Sequence, residues 1–525
     1  MAEVISRQRW QWTLLACLVL AGVMGLVRID SVPLDSHEIF VAGTTRAMSE
    51  RQDWILPWFN GAPRLNKPPM SYWATGAVAA IAGDLPEVAP WHVRLVSVLA
   101  GLGIVLCTAA LGCALFDERS ALLGAALVAS SAGLFTFMHD GRPDLLYAFF
   151  TSLMLLGLVR CFINPVPSLR WWALAWVACA LAVLTKGPQL PVMLLLGMFP
   201  SAYRHCGTVA ALRARLHPVF GLLLAAGLCA PWWVAISARL GETRIESSQL
   251  GGQLLAPSLT HLAELYYLYR PLQLALPWLV PFLLIGFVFV RRQATRENLG
   301  WLAGPLLAAT LLLSLGQQYR YFYLLPLIAP LMLLAARLLM SIDGKALGLM
   351  SWSIQAVAVA ACLVWVLLQA AQTRLGAGLA LGAGIIVALW AIQIWRDDAF
   401  LARWLPLAFL MGATWAGAAA TGAVWNSERY ADHALAVRAA QMFPPELPVA
   451  ALGVSPTLYA WTLQRDVRGI ARVDDVATWM PNTATVGLIV SSSWQAPLAQ
   501  RYRVEVLNAS DPPPQPRLLL LHRKP

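Results

Sequence analysis

Charge is what this sequence has least of. Only 12% of its 525 residues are Asp, Glu, Lys or Arg, and 59% are hydrophobic. A soluble domain carries about 25% charged residues, so an ordinary soluble enzyme is excluded. The long apolar runs also lack period-2 alternation, which excludes a membrane β-barrel. Lipid offers no partner to backbone N–H and C=O groups, so apolar runs of about 20 residues must be helices. Eight cysteines include no Cys-x-x-Cys pair, and only Cys206 falls in a basic loop. Neither a disulfide framework nor a thiolate metal site is expected. No GxxxxGK[ST] phosphate loop occurs, so nothing points to a nucleotide. No small-residue cleavage site follows the first apolar run, 10–29, which reads as a retained helix. Internal repeats and low-complexity tracts are absent.

What is present is a series of apolar runs. Thirteen spans are expected, at 10–29, 92–115, 119–138, 144–163, 170–186, 188–203, 218–236, 272–290, 299–315, 321–340, 351–369, 375–395 and 404–424. The 23 tryptophans fit anchoring at the two membrane surfaces. The net charge of +11 would point to nucleic acid in a soluble chain. Here the positive-inside rule accounts for much of it, and no nucleic-acid partner is expected. With a cytoplasmic N-terminus, the inside loops include "SRQR" (6–9), "YRHCGTVAALRARLH" (203–217) and "RRQATRE" (291–297), rich in Arg and Lys. An odd number of spans puts residues 425–525 outside. There the runs shorten to strand length, "VAAL" (449–452), "VGLIV" (486–490), "RVEVL" (503–507) and "RLLLLH" (517–522), with helix-like stretches at 428–442 and 456–464. The expected architecture is an all-α polytopic membrane domain over 1–424 and a small α/β domain over 425–525.

A transporter would show ionisable or Gly/Pro-broken helices near mid-membrane, in matching halves. In this chain polar residues gather at helix ends on the outer side instead. Asp35 follows the first span, in "VPLDSHEIF" (32–40), with His37 and Glu38 beside it. "HDGRPDLLYAFF" (139–150) sets Arg142, Pro143 and Asp144 where a helix begins. An acid in a first helical turn stabilises the helix dipole, so Asp144 has a structural reading as well as a chemical one. Lys186, in "LTKGPQLP" (184–191), sits outside against the positive-inside trend and beside a Gly-Pro break. Arg320 and Tyr321, in "GQQYRYFYLLPL" (316–327), lie at another outer boundary. Several cations with two candidate carboxylates suit a phosphate-bearing lipid and a hydroxyl nucleophile.

These stretches, in order, resemble a known family. Asp35, "TTRAMSERQDWILPWFNGAPRLNKPPMSYW" (44–73), "RPDLLYAFF" (142–150), "LTKGP" (184–188), "PWWVAI" (231–236) and "YRYFYLLPLIAPLMLL" (319–334) are similar to the GT-C-fold glycosyltransferases that use lipid-linked sugars. The likeness is to the group joining protein O-mannosyltransferases and bacterial lipid A aminoarabinose transferases. It covers residues 1–340 well. The resemblance implies an inner-membrane enzyme taking a sugar from a polyprenyl phosphate, undecaprenyl in a bacterium, on the periplasmic face. Lipid A is the implied acceptor, with another glycan or protein hydroxyls as the alternative. A lipid-linked-sugar flippase and a non-catalytic scaffold are the rivals of other classes. Asp35 would be the catalytic carboxylate that activates the acceptor for inverting attack, and Asp144 a second cavity acid. Lys67, Lys186 and Arg320 would hold the donor phosphate, with His37, Glu38, Arg142 and Tyr321 as substrate-binding candidates. The first loop would form two short helices along the outer surface, the second opened by "KPPMSYW" with Tyr72 and Trp73 at the interface.

Two departures bear on cofactors. The family's Glu-Lys-Pro-Pro is Asn66-Lys67-Pro68-Pro69 here, and the loop "GETRIESSQLGGQLL" (241–255) has no histidine. A metal that related enzymes can bind therefore loses two ligands. No metal site is assigned, and His37 with His139 is the one alternative pair. Membrane lipids are the remaining expected partners.

Overall fold

The computed structural model describes residues 6–240, 266–278, 296–315, 320–340, 345–369, 374–422, 431–480, 485–508 and 516–523. They fall into two compact units. The first comprises Met1–Ile29, Leu65–Val78 and Trp91–Val424; the second comprises Asp30–Arg64, Ala79–Pro90 and Trp425–Pro525.

The first unit is helical. Its elements are α1 (Arg7–Leu26), α3 (Met70–Ala82, shared with the second unit), α4 (Pro90–Leu115), α5 (Glu118–Ala129), α6 (Ala132–Met138), α7 (Pro143–Ile163), α8 (Leu169–Lys186), α9 (Gln189–Cys206), α10 (Val209–Leu216) and α11 (Pro218–Leu240). Further helices follow at Arg296–Ser314, Ile328–Met340, Lys345–Gln369, Arg374–Ile394 and Leu401–Thr421. Among the described residues, six helical segments are long and apolar enough to cross a membrane, seven if the bent pair α5–α6 is one span. The chain is thus a multi-pass membrane protein. Of the expected spans, 272–290 lies largely outside the described residues, as does the loop 241–255.

The 51° bend between α5 and α6 has a local cause. Ser130 turns its hydroxyl back onto the Ala126 carbonyl (2.6 Å), and Ser131 caps the new helix by accepting from Leu134 N–H (3.2 Å). Serines compete with the helix ladder in this way. The freed backbone groups find partners nearby: Ala132 N–H donates to Leu276 O (2.8 Å), and Trp415 Nε1–H donates to Ser130 O (3.1 Å). In lipid such satisfaction is obligatory. The result is a short α6 that delivers the 139–142 loop.

The second unit contains a five-stranded sheet in the order β4-β3-β5-β7-β6: β3 (Val449–Leu452), β4 (Val467–Ile470), β5 (Thr485–Val490), β6 (Tyr502–Val506) and β7 (Arg517–Arg523). β3 runs parallel to β4 and β5, and β7 antiparallel to β5 and β6. Alternate residues feed two cores. Ala450, Leu452, Leu488 and Leu519 pack with Val476 and Leu498 on one side; Val449, Ala451, Ile489 and Leu518 pack with Ala436, Ala439 and Tyr459 on the other. A sheet covered on both faces reads as continuous apolar runs, which is why β3, β5 and β7 were visible in the sequence; β6, the other edge, shows instead as the alternating "RVEV". The edge strand β4, "VRGI", is half exposed and carries Arg468 and Gly469; it has no such run.

The same unit holds α2 (Ser36–Glu50) and a small hairpin, β1 (Trp58–Phe59) and β2 (Ala62–Pro63). Asn60 and Gly61 form its turn with φ of 52° and 74°, the left-handed pair that hairpins favour. "TTRAM" lies within α2, and α3 starts just after Pro68–Pro69, with Trp73 N–H donating to Pro69 O (3.0 Å). One expectation is corrected: Tyr72 is 2% exposed, packed inside the protein and not anchored at a membrane surface.

Candidate functional site

The acidic motif "HDGRPD" folds into a loop and a helix start. Gly141 passes so close to α4 that any Cβ there would run into Val93. Ser97 Oγ–H donates to Asp140 O (2.8 Å), pinning the loop to the same helix. Arg142 then caps α7, with Pro143 at its first position and Asp144 in its first turn. Proline suits that position, since its missing N–H would have no intrahelical partner there.

Four charged residues meet at this point as two pairs. Arg142 binds Asp140 (Nε–Oδ2 2.7 Å), and Lys186 binds Asp144 through Nζ and Oδ1. Both carboxylates are 4% exposed. Burial pulls the Arg142 guanidinium down, but Asp140 and Asp144 outweigh it, and the group ends above its ordinary value. Lys67, half-buried, acts on Asp144 through space.

Lys186 owes its place to its neighbours. It is the last residue of α8, and Gly187 follows with φ 110°, a backbone that side-chain-bearing residues rarely adopt. Tyr147 staples the turn: its hydroxyl donates to Gly187 O (3.0 Å) and accepts from Leu190 N–H (3.2 Å). A lysine at a helix end can snorkel to water; this one turns inward to an acid.

Aromatic rings enclose the pairs. Tyr321–Leu327 is a 3₁₀ helix, whose three residues per turn splay successive side chains. Phe322 lies between the cations, 4.9 Å from Arg142 and 5.2 Å from Lys186. Tyr323 lies 4.7 Å from Lys186, and Tyr321 packs on Phe137 at 6.1 Å. Such contacts strengthen where water is excluded. Arg320 is exposed; its backbone N–H donates to Tyr267 Oη (3.1 Å), and it acts through space on Tyr323.

Asp35, Glu38 and His37 belong to the second unit. Asp35 caps α2: Oδ1 accepts from the N–H groups of His37 and Glu38, both at 2.8 Å, and its own N–H donates to Glu38 Oε2 (2.9 Å). This is a capping box. Asp35 and Glu38 are buried and His37 is exposed. The Asp-x-x-Glu spacing ahead of an apolar stretch is the signature of this cap, and sequence reasoning directed at chemistry missed it. Tyr147, Phe322 and Tyr323 were missed as well, and Asp140 was read only as one of the outer-side polar residues, not as the partner of Arg142. Their signal was weak, because an acid two residues before an arginine and aromatics in a span both have ordinary explanations.

Among the described residues, no three His, Cys, Asp or Glu side chains stand together as metal ligands. His139 has both ring nitrogens on backbone carbonyls, Nδ1 on Phe135 (3.0 Å) and Nε2 on Val27 (3.2 Å).

In chemical terms the first unit offers an anion a cationic, aromatic-walled cluster. Lys67, Arg142 and Lys186 stand with Asp140 and Asp144, an excess of one positive charge, and Arg320 acts on the neighbouring Tyr323. A phosphate monoester carries about −1.5 to −2 near neutral pH.

The chain is similar to several known proteins. The family model for dolichyl-phosphate-mannose-protein mannosyltransferases matches residues 66–235. An undecaprenyl phosphate-α-4-amino-4-deoxy-L-arabinose arabinosyl transferase of Pectobacterium carotovorum is 26% identical over 399 residues, 70% of this chain and 68% of that one. The corresponding Yersinia pestis (strain Pestoides F) enzyme is 26% identical over 56% of this chain and 53% of its own length. An uncharacterized Aquifex aeolicus protein is 32% identical over 29% of this chain and 30% of its own. The chain thus spans from under a third to about two thirds of these relatives. The crystal structure of ArnT from Cupriavidus metallidurans bound to undecaprenyl phosphate superposes with a TM-score of 0.77 at 18% identity, covering 97% of this chain and 98% of that one. The Archaeoglobus fulgidus oligosaccharyltransferase AglB reaches 0.50 over 91% of this chain and 69% of its own.

Proposed function

From the premise that this chain has the GT-C fold and that its relatives are ArnT-like, lipid-linked-sugar glycosyltransferases, we propose that it transfers a sugar from undecaprenyl phosphate to an acceptor on the outer face of the inner membrane. The observation that carries this reading is the cluster of Arg142, Lys186, Asp140 and Asp144 under Phe322 and Tyr323. It suits a phosphate head delivered from lipid. Asp35 takes the proton of the acceptor hydroxyl. The acceptor oxygen forms its bond to the anomeric carbon as the bond from that carbon to the phosphate oxygen breaks, with inversion. The electron pair leaves on undecaprenyl phosphate, and Lys67, Arg142, Lys186 and Arg320 stabilise the charge that develops there. Asp144 keeps Lys186 oriented until the phosphate competes for it.

Lipid A is the acceptor of this reading, taken from the resemblance of the sequence motifs to lipid A aminoarabinose transferases. The mannosyltransferase family match favours protein hydroxyls as the second reading. In this scheme the N-terminus is cytoplasmic, residues 1–424 carry the transmembrane domain, and residues 425–525 are periplasmic and form one compact unit with 30–64 and 79–90 of the first loop. Mass spectrometry of lipid A, surface glycans and envelope proteins, with and without the chain, tests it. A sugar-sized mass difference on lipid A is expected; on protein it selects the second reading. Identical profiles in all three fractions would sink the proposal.

A further inference from the structure

The second unit joins segments far apart in sequence, and one side chain makes the join in an unusual way. Asn60, at the tip of the β1–β2 hairpin, donates through Nδ2 to Val467 O (2.8 Å) and accepts through Oδ1 from Val467 N–H (2.7 Å). Val467 is the first residue of the edge strand β4. Its two backbone groups are thereby paired by one amide, which stands in for a neighbouring strand residue. Gly61 permits the approach, since a Cβ there would lie 2.8 Å from an Asp466 carboxylate oxygen.

The hairpin in turn is bound to α2. Gly43 of α2 leaves room for the Phe59 ring, which a Cβ would meet at 2.6 Å, with Trp461 3.6 Å away. Arg46 of α2 stacks over Trp461 at 4.6 Å, and Arg64 over Phe40 of α2 at 3.6 Å. At the other end of α2, His433 hydrogen-bonds the backbone of Leu34, the residue before Asp35, and acts on Glu38 through space. The hairpin and the α/β fold therefore hold α2 along its middle and just before its first turn, where Asp35 is its cap.

We propose that the C-terminal α/β fold serves as a positioning device for Asp35, and that Asn60 is its positioning residue. This rests on the reading of Asp35 as the acceptor's base. A base works only within hydrogen-bond reach of the proton it takes, and an ångström of misplacement can cost about 100-fold in rate. Asn60→Gly is the appropriate variant. Glycine keeps the left-handed turn that Asn60 adopts and removes only the amide clamp.

The test measures initial rates of transfer from undecaprenyl phosphate-linked 4-amino-4-deoxy-L-arabinose to lipid A, and binding of undecaprenyl phosphate, for Asn60→Gly, Asp35→Asn and the double variant. The expected result is a rate loss of at least about tenfold in Asn60→Gly, with undecaprenyl phosphate binding unchanged. That loss should vanish in the Asp35→Asn background. Asn60→Asp, which also tolerates the turn but faces Val467 O with a second oxygen, should lose rate in the same direction. It replaces Asn60→Gly if that variant does not fold. An equal further loss in the Asp35→Asn background would show a merely structural role and overturn the inference. So would full activity in the clamp variants beside an inactive Asp35→Asn. Full activity of Asp35→Asn would instead remove the base assignment itself, and the positioning role with it.

Discussion

The two carboxylate-bearing regions of this molecule use their acids in opposite ways. In the first unit, Asp140 and Asp144 hold cations, and each ion pair lies against an aromatic ring. In the second, Asp35 holds backbone N–H groups at the start of α2 and shares a capping box with Glu38. In the proposed reaction the first arrangement exchanges partners: an arriving phosphate would compete with a carboxylate for the same cation. The second fixes a carboxylate in place, because a helix depends on its position. A cluster that exchanges partners suits binding and release of a charged head. A carboxylate with one oxygen committed to backbone suits a group that must not move.

Substitutions can break that comparison, and the largest effect is expected at Asp35. Asn caps a helix about as well as Asp, so Asp35→Asn keeps α2 and removes the base. A rate loss of about 100-fold or more is expected, with thermal unfolding in detergent unchanged. Near-normal turnover by the folded variant would leave the capping box as the whole role of Asp35.

Next come the ion pairs. Lys186→Met leaves the buried Asp144 without its lysine, and removal of one partner of a buried pair costs about 3–5 kcal/mol. Lys186→Met combined with Asp144→Leu removes both charges and should recover most of that stability. Equal melting temperatures for the single and double variants would show that the pair is not a closed unit.

Arg320 should be milder. It is exposed, so Arg320→Gln should change stability by less than about 0.5 kcal/mol. A charge-assisted phosphate contact is worth about 1.5–3 kcal/mol, so use of the donor should weaken more than use of the acceptor. Unchanged donor saturation would remove Arg320 from the phosphate contacts.

The smallest effect concerns pH. Burial lowers the pKa of His433 below its ordinary value, against the opposing pull of Leu34, Asp432 and Glu38. The folded state therefore prefers the neutral ring. The stability this gives is full above the unfolded value of about 6.5 and is lost as pH falls through that value toward the folded one. His433→Gln should flatten the pH dependence of unfolding in that window. An unaltered profile would assign the dependence to other groups.

Much of this was legible in the sequence because membranes impose long apolar runs and a doubly covered sheet imposes short ones. The clustering of Asp144 and Lys186 was foreshadowed by a lysine on the outer side beside a Gly-Pro break. Its pairing was not, since 42 residues separate the two and only the packing of α7 on α8 joins them. The capping box was written in Asp35-Ser36-His37-Glu38 and is purely local. The Asn60–Val467 clamp spans 407 residues; no local pattern announces it, and the strand it seals carries no apolar run.

The central claim is that the paired cluster of the first unit receives a polyprenyl phosphate. Its most direct test is the affinity of the purified protein for undecaprenyl phosphate, set against that of a variant combining Lys186→Gln with Asp144→Asn. That variant keeps a neutral hydrogen bond in place of the ion pair. The account predicts binding about 10- to 100-fold weaker in the variant, the range that one charge-assisted contact supplies, with both proteins folded. Equal affinity would contradict it.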